Sequence, residues 1–465
     1  MPLMQRFGFF LFIWLFVHLS RFTVEADYGT TVIIINQSGY IWTKSYSHEY
    51  QMSEWDWPDR IGLGTTIEEV WFEYGLGTTS SDDGGEVQYV IEDESGSAFQ
   101  IQATAPGGNF DLQVNWFGMS TAGDAEGSTI SIGFASAGYV YLVISGSVFG
   151  GPWFSNTAAP SWMQDMLSTF SSTTLREFCI PGSHDAGMSI IDDSTLAISE
   201  DAITQSFSIG GQLAKGARFF DIRPMLKSGT WKTGHYSYSS TLGEYVGATG
   251  QSIDSIISDV NAFTAQNSEL IMLYLNGGIN LDANRGMTGE EWPQLFVELS
   301  NINHRVLRDD GGTVDLSQMT LGDFISDGPA VLIIVNATVA ADATGWFTLG
   351  FFPWATAFPL YNKYSNTDNL NTMTNDQIQK MKQNRPTSDS LPFLLSWTLT
   401  QSAADIVGQY SIIDLANYAR PSLFSDFSVA ISPNTYPNVL FVDNYNDGAI
   451  TALAIAVNMY YQNSF

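Results

Sequence analysis

Five short runs of unbroken apolar residues in the second half of the chain decide most of what it can fold into. They are "ARFFDIR", "ELIMLYLN", "AVLIIVN", "LPFLLSW" and "NVLFVDN". A strand with one face in water alternates apolar and polar residues, whereas a strand covered on both faces reads as a continuous apolar stretch, the habit of parallel sheets wrapped in helices. "SIDSIISDVNAFTAQN" comes just before "ELIMLYLN" and sets Ile253, Ile256, Ile257, Val260 and Phe263 on one helical face. The final segment, "DGAITALAIAVNMYYQ", does the same with Ile450, Leu453, Val457 and Tyr460. Strands and helices taking turns over about 300 residues, with no Gly-rich dinucleotide loop, predict an α/β fold of the β/α-barrel kind rather than a doubly wound nucleotide fold. In a barrel the chemistry belongs at the C-terminal ends of the strands, and there this sequence places His184-Asp185, Asp221, Arg223 and Asp443.

The first half has a different texture. "FDLQVNWF" alternates until its last step and "FQIQA" alternates throughout; "TVIIIN", "EEVWFEYG", "EVQYVIE", "STISIGFA" and "YVYLVISG" supply further strands split by Gly, Ser, Asn and Asp. No amphipathic helix interrupts them, so residues 27–146 read as an all-β antiparallel sandwich. The texture changes after "SGSVFGGPWFSNTAAPSW", which places a linker at 147–161 and the barrel at 162–465. Within the barrel, the stretch Gly345 to Asn366 matches no element pattern and is read as shaping the mouth of the site.

Residues 1–26, "MPLMQRFGFFLFIWLFVHLSRFTVEA", carry Arg6, an apolar run from Phe9 to Val17, and small residues where signal peptidase cuts. The run is well short of the roughly 20 apolar residues of a spanning helix, so it reads as a secretory signal and the mature protein as extracellular. Cys179 is the single cysteine, so no intrachain disulfide forms and stability must come from core burial; beside Phe178 it reads as a packing thiol. Asn36-Gln37-Ser38 and Asn336-Ala337-Thr338 are glycosylation sequons. With 18 basic residues against 48 acidic and a formal net charge of -30, the chain repels nucleic acid and has no polybasic means of holding an anionic membrane. An anionic substrate must be caught by locally placed cations.

The second half offers such a cation within a wider set of polar residues, namely His184, Asp185, Asp221, Arg223, His235 in "KTGHYSY", and Asp443. Two imidazoles, a guanidinium and carboxylates fit the cleavage of a phosphodiester by an internal hydroxyl. One imidazole removes the proton of the attacking hydroxyl and the other protonates the leaving oxygen. The guanidinium meets the charge gathering on phosphorus, and a carboxylate behind each imidazole fixes its tautomer. Each residue alone is commonplace; their order, His-Asp, Asp-x-Arg, His, Asp, carries the reading.

"IPGSHDAGM" and "GARFFDIRP" resemble the motifs of the phosphatidylinositol-specific phospholipase C-like phosphodiesterases, especially their metal-independent secreted bacterial and fungal branch. The likeness runs from about Ser161 to the C-terminus and includes the helix "WMQDMLSTF". It implies a distorted TIM barrel acting on a phospholipid or other phosphodiester, at most peripherally attached to a membrane. It also implies His184 as general base oriented by Asp443, His235 as general acid coupled to Asp185, Arg223 as transition-state stabiliser and Asp221 as its support. In the metal-dependent relatives acidic ligands occupy the matching strand end; Arg223 stands there here, which implies neither metal nor other cofactor. The bacterial enzymes carry a lysine where this chain has Asn276, so headgroup contacts are expected to differ, with Asn276 among them. Trp397 either stacks on a headgroup or packs in the core.

Trp42, Tyr46, Tyr50, Trp55 and Trp57 crowd a short span of the first half. They either fill the sandwich core or dock on a membrane or sugar surface. The latter option keeps open a second function, a catalytically silent binding protein whose sandwich recognises a glycan or lipid. No G-x-S-x-G elbow is present, which disfavours an acyl hydrolase.

Overall fold

The computed structural model describes all residues except 1–27, 63–65, 76–82, 122, 147–152, 157–159, 198, 310–313, 337–345, 403–404, 406–407, 409 and 463–465. The expected secretory signal therefore lies outside the described residues. Eight strands make one sheet: Ile180–Ser183, Phe219–Ile222, Leu270–Asn276, Ala330–Asn336, Phe351–Pro353, Tyr361–Asn362, Phe393–Trp397 and Val439–Val442. In space they follow the order fifth, fourth, third, second, first, eighth, seventh, sixth, and every neighbouring pair is parallel. The first strand pairs with the eighth at the centre of the sheet. Among the described residues the fifth and sixth strands do not pair, so the barrel is distorted and open along that seam.

The seam explains the stretch that matched no pattern. Gly345 to Asn366 holds the fifth and sixth strands themselves, only Phe351–Pro353 and Tyr361–Asn362. A strand of two or three residues has no period to read, and Pro353 removes a donor from the ladder. The longer strands bear out the continuous-apolar rule: Leu270–Leu275 and Ala330–Val335 are buried throughout. The helix Ile253–Thr264 starts where the Ser252 side chain accepts from the Ser255 N–H, and it buries Ile253, Ile256, Ile257 and Val260 on the barrel.

Two sheets make up the first half. The five-stranded one runs, in spatial order, Trp153–Ser155, Tyr139–Gly146, Gly29–Ser38, Thr66–Tyr74 and Met52–Trp55. The six-stranded one runs Arg60–Ile61, Trp42–Tyr50, Gly84–Ile91, Ala98–Thr104, Asp111–Phe117 and Thr129–Gly133. Pairing is antiparallel except between Gly29–Ser38 and Tyr139–Gly146, which are parallel. These two strands are apolar on both sides and are covered on both, as parallel pairs usually are. Val32, Ile34, Leu142 and Ile144 point into the sandwich, whereas Ile33, Ile35, Tyr141 and Val143 join the barrel's own core. Strand Tyr139–Gly146 packs on the final helix, Ala449–Gln462, and the Tyr141 ring lies 4.7 Å from Phe424. Trp153–Ser155, inside the stretch expected as a linker, extends this sheet.

At the opposite end of the barrel a fully buried ion pair ties the chain entering the first helical turns to strands two and three. Arg218 Nε donates to Glu269 Oε2 at 2.9 Å, and the guanidinium also donates to the carbonyls of Pro160, Leu213 and Ala217. Glu269 accepts from the N–H groups of Met163 and Gln164. Cys179 is buried, and its backbone is held on both sides by Asn458. Asn36 of the first sequon is buried and its amide donates to the carbonyls of Tyr40 and Gly62, so the folded chain leaves no free amide there for a glycan.

Removing one half of the Arg218–Glu269 pair leaves a charge in the interior with no counter-ion. Glu269→Ala is expected to cost about 3–5 kcal/mol of stability, read as a lowered midpoint in chemical or thermal unfolding of the purified protein.

Candidate functional site

The site is built where the first, second and eighth strands end side by side. His184 follows Ile180–Ser183 and keeps the ladder by donating its N–H to the Val442 carbonyl at 3.0 Å. The chain then turns at Asp185, whose φ of +43° is a left-handed conformation that Asp tolerates better than most residues. Asn444, next to Asp443 at the end of the eighth strand, turns the same way with φ +51°. These two turns bring His184 Nδ1 to 2.7 Å from Asp443 Oδ1.

Arg223 leaves the second strand one residue after Ile222 and spreads its guanidinium between three partners. Nε donates to Asp221 Oδ2 at 3.1 Å, NH1 to Asp185 Oδ2 at 3.0 Å, and NH2 to His184 Nε2 at 2.6 Å. A guanidinium has only donors, so His184 Nε2 must present its lone pair, and Nδ1 must carry the proton given to Asp443. His235 comes from elsewhere. Between the second strand and the helix Ile253–Thr264 the chain makes an antiparallel meander, Pro224–Lys227, Thr230–Ser239 and Glu244–Ser252, and His235 lies within its middle strand. The Gly234 N–H donates to the Arg223 carbonyl at 3.1 Å, and His235 Nδ1 stands 2.7 Å from Asp185 Oδ2.

The result is one hydrogen-bonded chain, Asp443–His184–Arg223–Asp185–His235, of alternating proton donors and acceptors. Its carboxylates are buried, whereas the side chains of His184, Arg223 and His235 keep 19%, 26% and 31% of their surface exposed. Only the two imidazoles and the guanidinium are open to a ligand. Burial alone would lower the pKa of His184, but the Asp443 carboxylate outweighs it and raises the value, with Arg223 opposing. Burial would raise Asp185, yet Arg223 and the His235 hydrogen bond hold its carboxyl below the usual range. For Arg223 the loss of hydration is overcome by Asp185 and Asp221, which hold the guanidinium charged.

A segment that carried no sequence signal splints the two turns. Gln205, fully buried, donates from Nε2 to the His184 carbonyl at 2.8 Å and accepts the Tyr445 N–H at 2.8 Å. Thr204 donates its hydroxyl to the Asp185 carbonyl at 2.9 Å and accepts the Asn444 N–H on its own carbonyl at 2.8 Å. Gly247 is a second missed requirement: a Cβ there would stand 1.9 Å from the His235 carbonyl oxygen.

The two expected headgroup residues fare differently. Asn276 ends the third strand half-buried and accepts the Asn336 amide at 3.1 Å, so it lies at the right end of the barrel but outside the imidazole chain. Trp397 is 2% exposed and its indole N–H donates to the Ala419 carbonyl at 3.0 Å, which corrects the stacking option: the ring is core. Among the described residues no group of three or more His, Cys, Asp and Glu side chains is arranged to hold a metal ion. Arg223 sits between Asp185 and Asp221 and is ion-paired with both.

No protein-family model matches the chain, and no curated protein matches it. Among solved structures it is similar to a variant of the phosphatidylinositol-specific phospholipase C from Staphylococcus aureus, with 15% identity and a TM-score of 0.46 over 64% of this chain and 97% of that one. The phosphatidylinositol-specific phospholipase C from Listeria monocytogenes is similar at 15% identity and a TM-score of 0.41, over 64% of this chain and 98% of that one.

Asp443→Asn removes the charge that raises His184. Imidazole resonances followed by NMR should show the His184 midpoint moving to lower pH in the variant. The folded value lies above the unfolded one of about 6.5, so the stability that Asp443 supplies through His184 is fully present below that pH. It is lost as the pH climbs through the folded value. The wild type's advantage in unfolding midpoint over Asp443→Asn should shrink across that window.

Proposed function

We propose that the protein is an extracellular, metal-independent phosphodiesterase of the phospholipase C type, cleaving a phosphoinositide or a related diester that carries a hydroxyl next to the phosphate. The observation that carries this reading is the chain Asp443–His184–Arg223–Asp185–His235, with two imidazoles flanking one guanidinium and only those three groups facing solvent.

His184 holds its Nε2 lone pair against Arg223 NH2. A phosphate oxygen arriving at the guanidinium takes over that N–H and frees the lone pair for the neighbouring hydroxyl of the substrate. The hydroxyl proton passes to Nε2 as its oxygen bonds to phosphorus. The bond from phosphorus to the leaving oxygen breaks, and that oxygen takes a proton from His235, giving a cyclic phosphate and an alcohol. Asp443 stabilises the imidazolium formed at His184, and Asp185 holds His235 and Arg223 at once. Arg223 keeps donors on the non-bridging oxygens throughout, supplying the positive charge that a metal supplies elsewhere. Asp221 fixes the guanidinium from behind. On this reading Asn276 and Asn336, neutral where a cation would reach for further phosphate, favour an uncharged polyol around the scissile diester.

Phosphorus NMR of the purified mature protein with phosphatidylinositol, with and without EDTA, tests the proposal. A cyclic inositol phosphate resonance that survives chelation and vanishes in His184→Ala is the expected result; loss of activity on chelation would refute the role given to Arg223. Arg223→Lys keeps the charge but loses the fork, and a fall in kcat of about 10²–10³-fold is expected. Gly247→Ala, which touches no reacting group, should lower kcat by displacing the strand of His235, and its backbone clash should lower the unfolding midpoint as well.

A further inference from the structure

The five-stranded sheet of the sandwich is covered by the barrel, so the outer face of the six-stranded sheet is the free one. On an ordinary solvated face lysine and glutamate dominate. Here the middle of the face carries neither lysine nor arginine, on a chain whose net charge is -30. Instead, amides and hydroxyls are locked to one another across the strands. Tyr46 donates its hydroxyl to Glu86 at 3.0 Å and Gln100 donates to Glu86 at 3.1 Å. Asn115 donates to Gln100 at 3.1 Å, and Thr129 donates to Asn115 at 2.5 Å. Each amide keeps further donors and lone pairs beyond these bonds.

At each end of this mat the face dips. One depression, about 420 Å³, has Gly84 on its floor, between Tyr50 and Thr104 in the strand register, with His48, Glu86 and Gln102 around it. Tyr50, which lines it, is 55% exposed. The other, about 650 Å³, has Ala98 between Val90 and Phe117, and Phe117 is 41% exposed. Along the strand, Gly84 and Val90 are about 20 Å apart.

We infer that this face is a binding site for a neutral oligosaccharide, seated with one sugar ring against Tyr50 over Gly84, another against Phe117 over Ala98, and its hydroxyls on the amide mat between them. Sugar rings offer apolar faces for aromatic rings and a dense array of hydroxyls that both donate and accept. Amides already held by their neighbours lose little further freedom on binding. The same features disfavour the competitors. Phosphate-bearing ligands meet no lysine or arginine in the middle of the face, Arg60 at its edge being paired with Glu92, and a strongly negative protein; the two apolar ends are separated by a polar mat and make no continuous patch for lipid or for a protein partner. The inference is independent of the barrel's chemistry.

Isothermal titration of the full mature protein with laminarihexaose, cellohexaose and chitohexaose tests it, beside sedimentation with phosphatidylcholine vesicles. At least one hexasaccharide should bind, and Tyr50→Ala should weaken that binding at least tenfold. Gln102→Ala, which removes an amide and no aromatic ring, should weaken it severalfold. Both side chains lie outside the sandwich core, so unfolding midpoints should match the wild type. The inference fails if none of the three sugars binds or if binding survives both substitutions. Vesicle binding that Tyr50→Ala abolishes, with no sugar bound, would assign the face to lipid and overturn it as well.

Discussion

One guanidinium governs the mouth of this barrel. Asp185 and Asp221 are 0% and 2% exposed, and each has an Oδ1 atom with no hydrogen-bond partner among the described residues. Two buried carboxylates so placed need a cation between them. Arg223 is that cation, and its planar fork does what a lysine's point charge would not: it meets both carboxylates and still presents an edge to His184. The positions of both imidazoles follow, because His184 is held between Arg223 and Asp443 and His235 hangs on the same Asp185 oxygen that Arg223 uses. A change at Arg223 therefore disturbs the whole set at once.

The fold supplies this arrangement by two different means. Barrel strands one, two and eight bring His184, Asp221 and Asp443 to adjacent ends, where the parallel ladder fixes the spacing between neighbours. His235 is not a barrel residue. It is delivered by the antiparallel meander inserted after the second strand, and Gly234 and Gly247 let the strands of that meander lie close to one another around His235, whose imidazole reaches Asp185. Thr204 and Gln205, buried beneath the two turns, keep the His184 and Asp443 ends in register.

Much of this is legible in the sequence, for identifiable reasons. The five apolar runs are legible because both faces of their strands are covered, and polar residues at the ends of such runs stand out against them; hence Asp221, Arg223 and Asp443, while His184 stands after the shorter apolar segment Phe178, Cys179 and Ile180. The fifth and sixth strands are illegible because two or three residues carry no period. Trp397 is ambiguous because an apolar run does not say which side of the barrel wall a ring enters; the structure puts it on the side covered by the helix Ile412–Ser422, bonded to the Ala419 carbonyl. Gln205 and Gly247 act through backbone contacts from segments far away in sequence, and nothing local marks such residues. In the aromatic cluster of the first half a register slip between Lys44 and Tyr46 separates Trp42, in the core, from Tyr46 and Tyr50, outside, and Trp57 is buried beyond the strands. The parallel pair of strands that joins sandwich to barrel shows itself only as two runs more apolar than a half-exposed strand requires.

The central claim is that two histidines of opposite protonation state work around a guanidinium in place of a metal. The pH dependence of kcat/KM on phosphatidylinositol, measured in the presence of EDTA, tests it most directly. The account predicts a bell whose rising limb reports the loss of the proton from His184, above the ordinary histidine value because Asp443 raises it, and whose falling limb reports the loss of the general acid's proton. A profile with a single limb, or activity that disappears with the chelator, would contradict it.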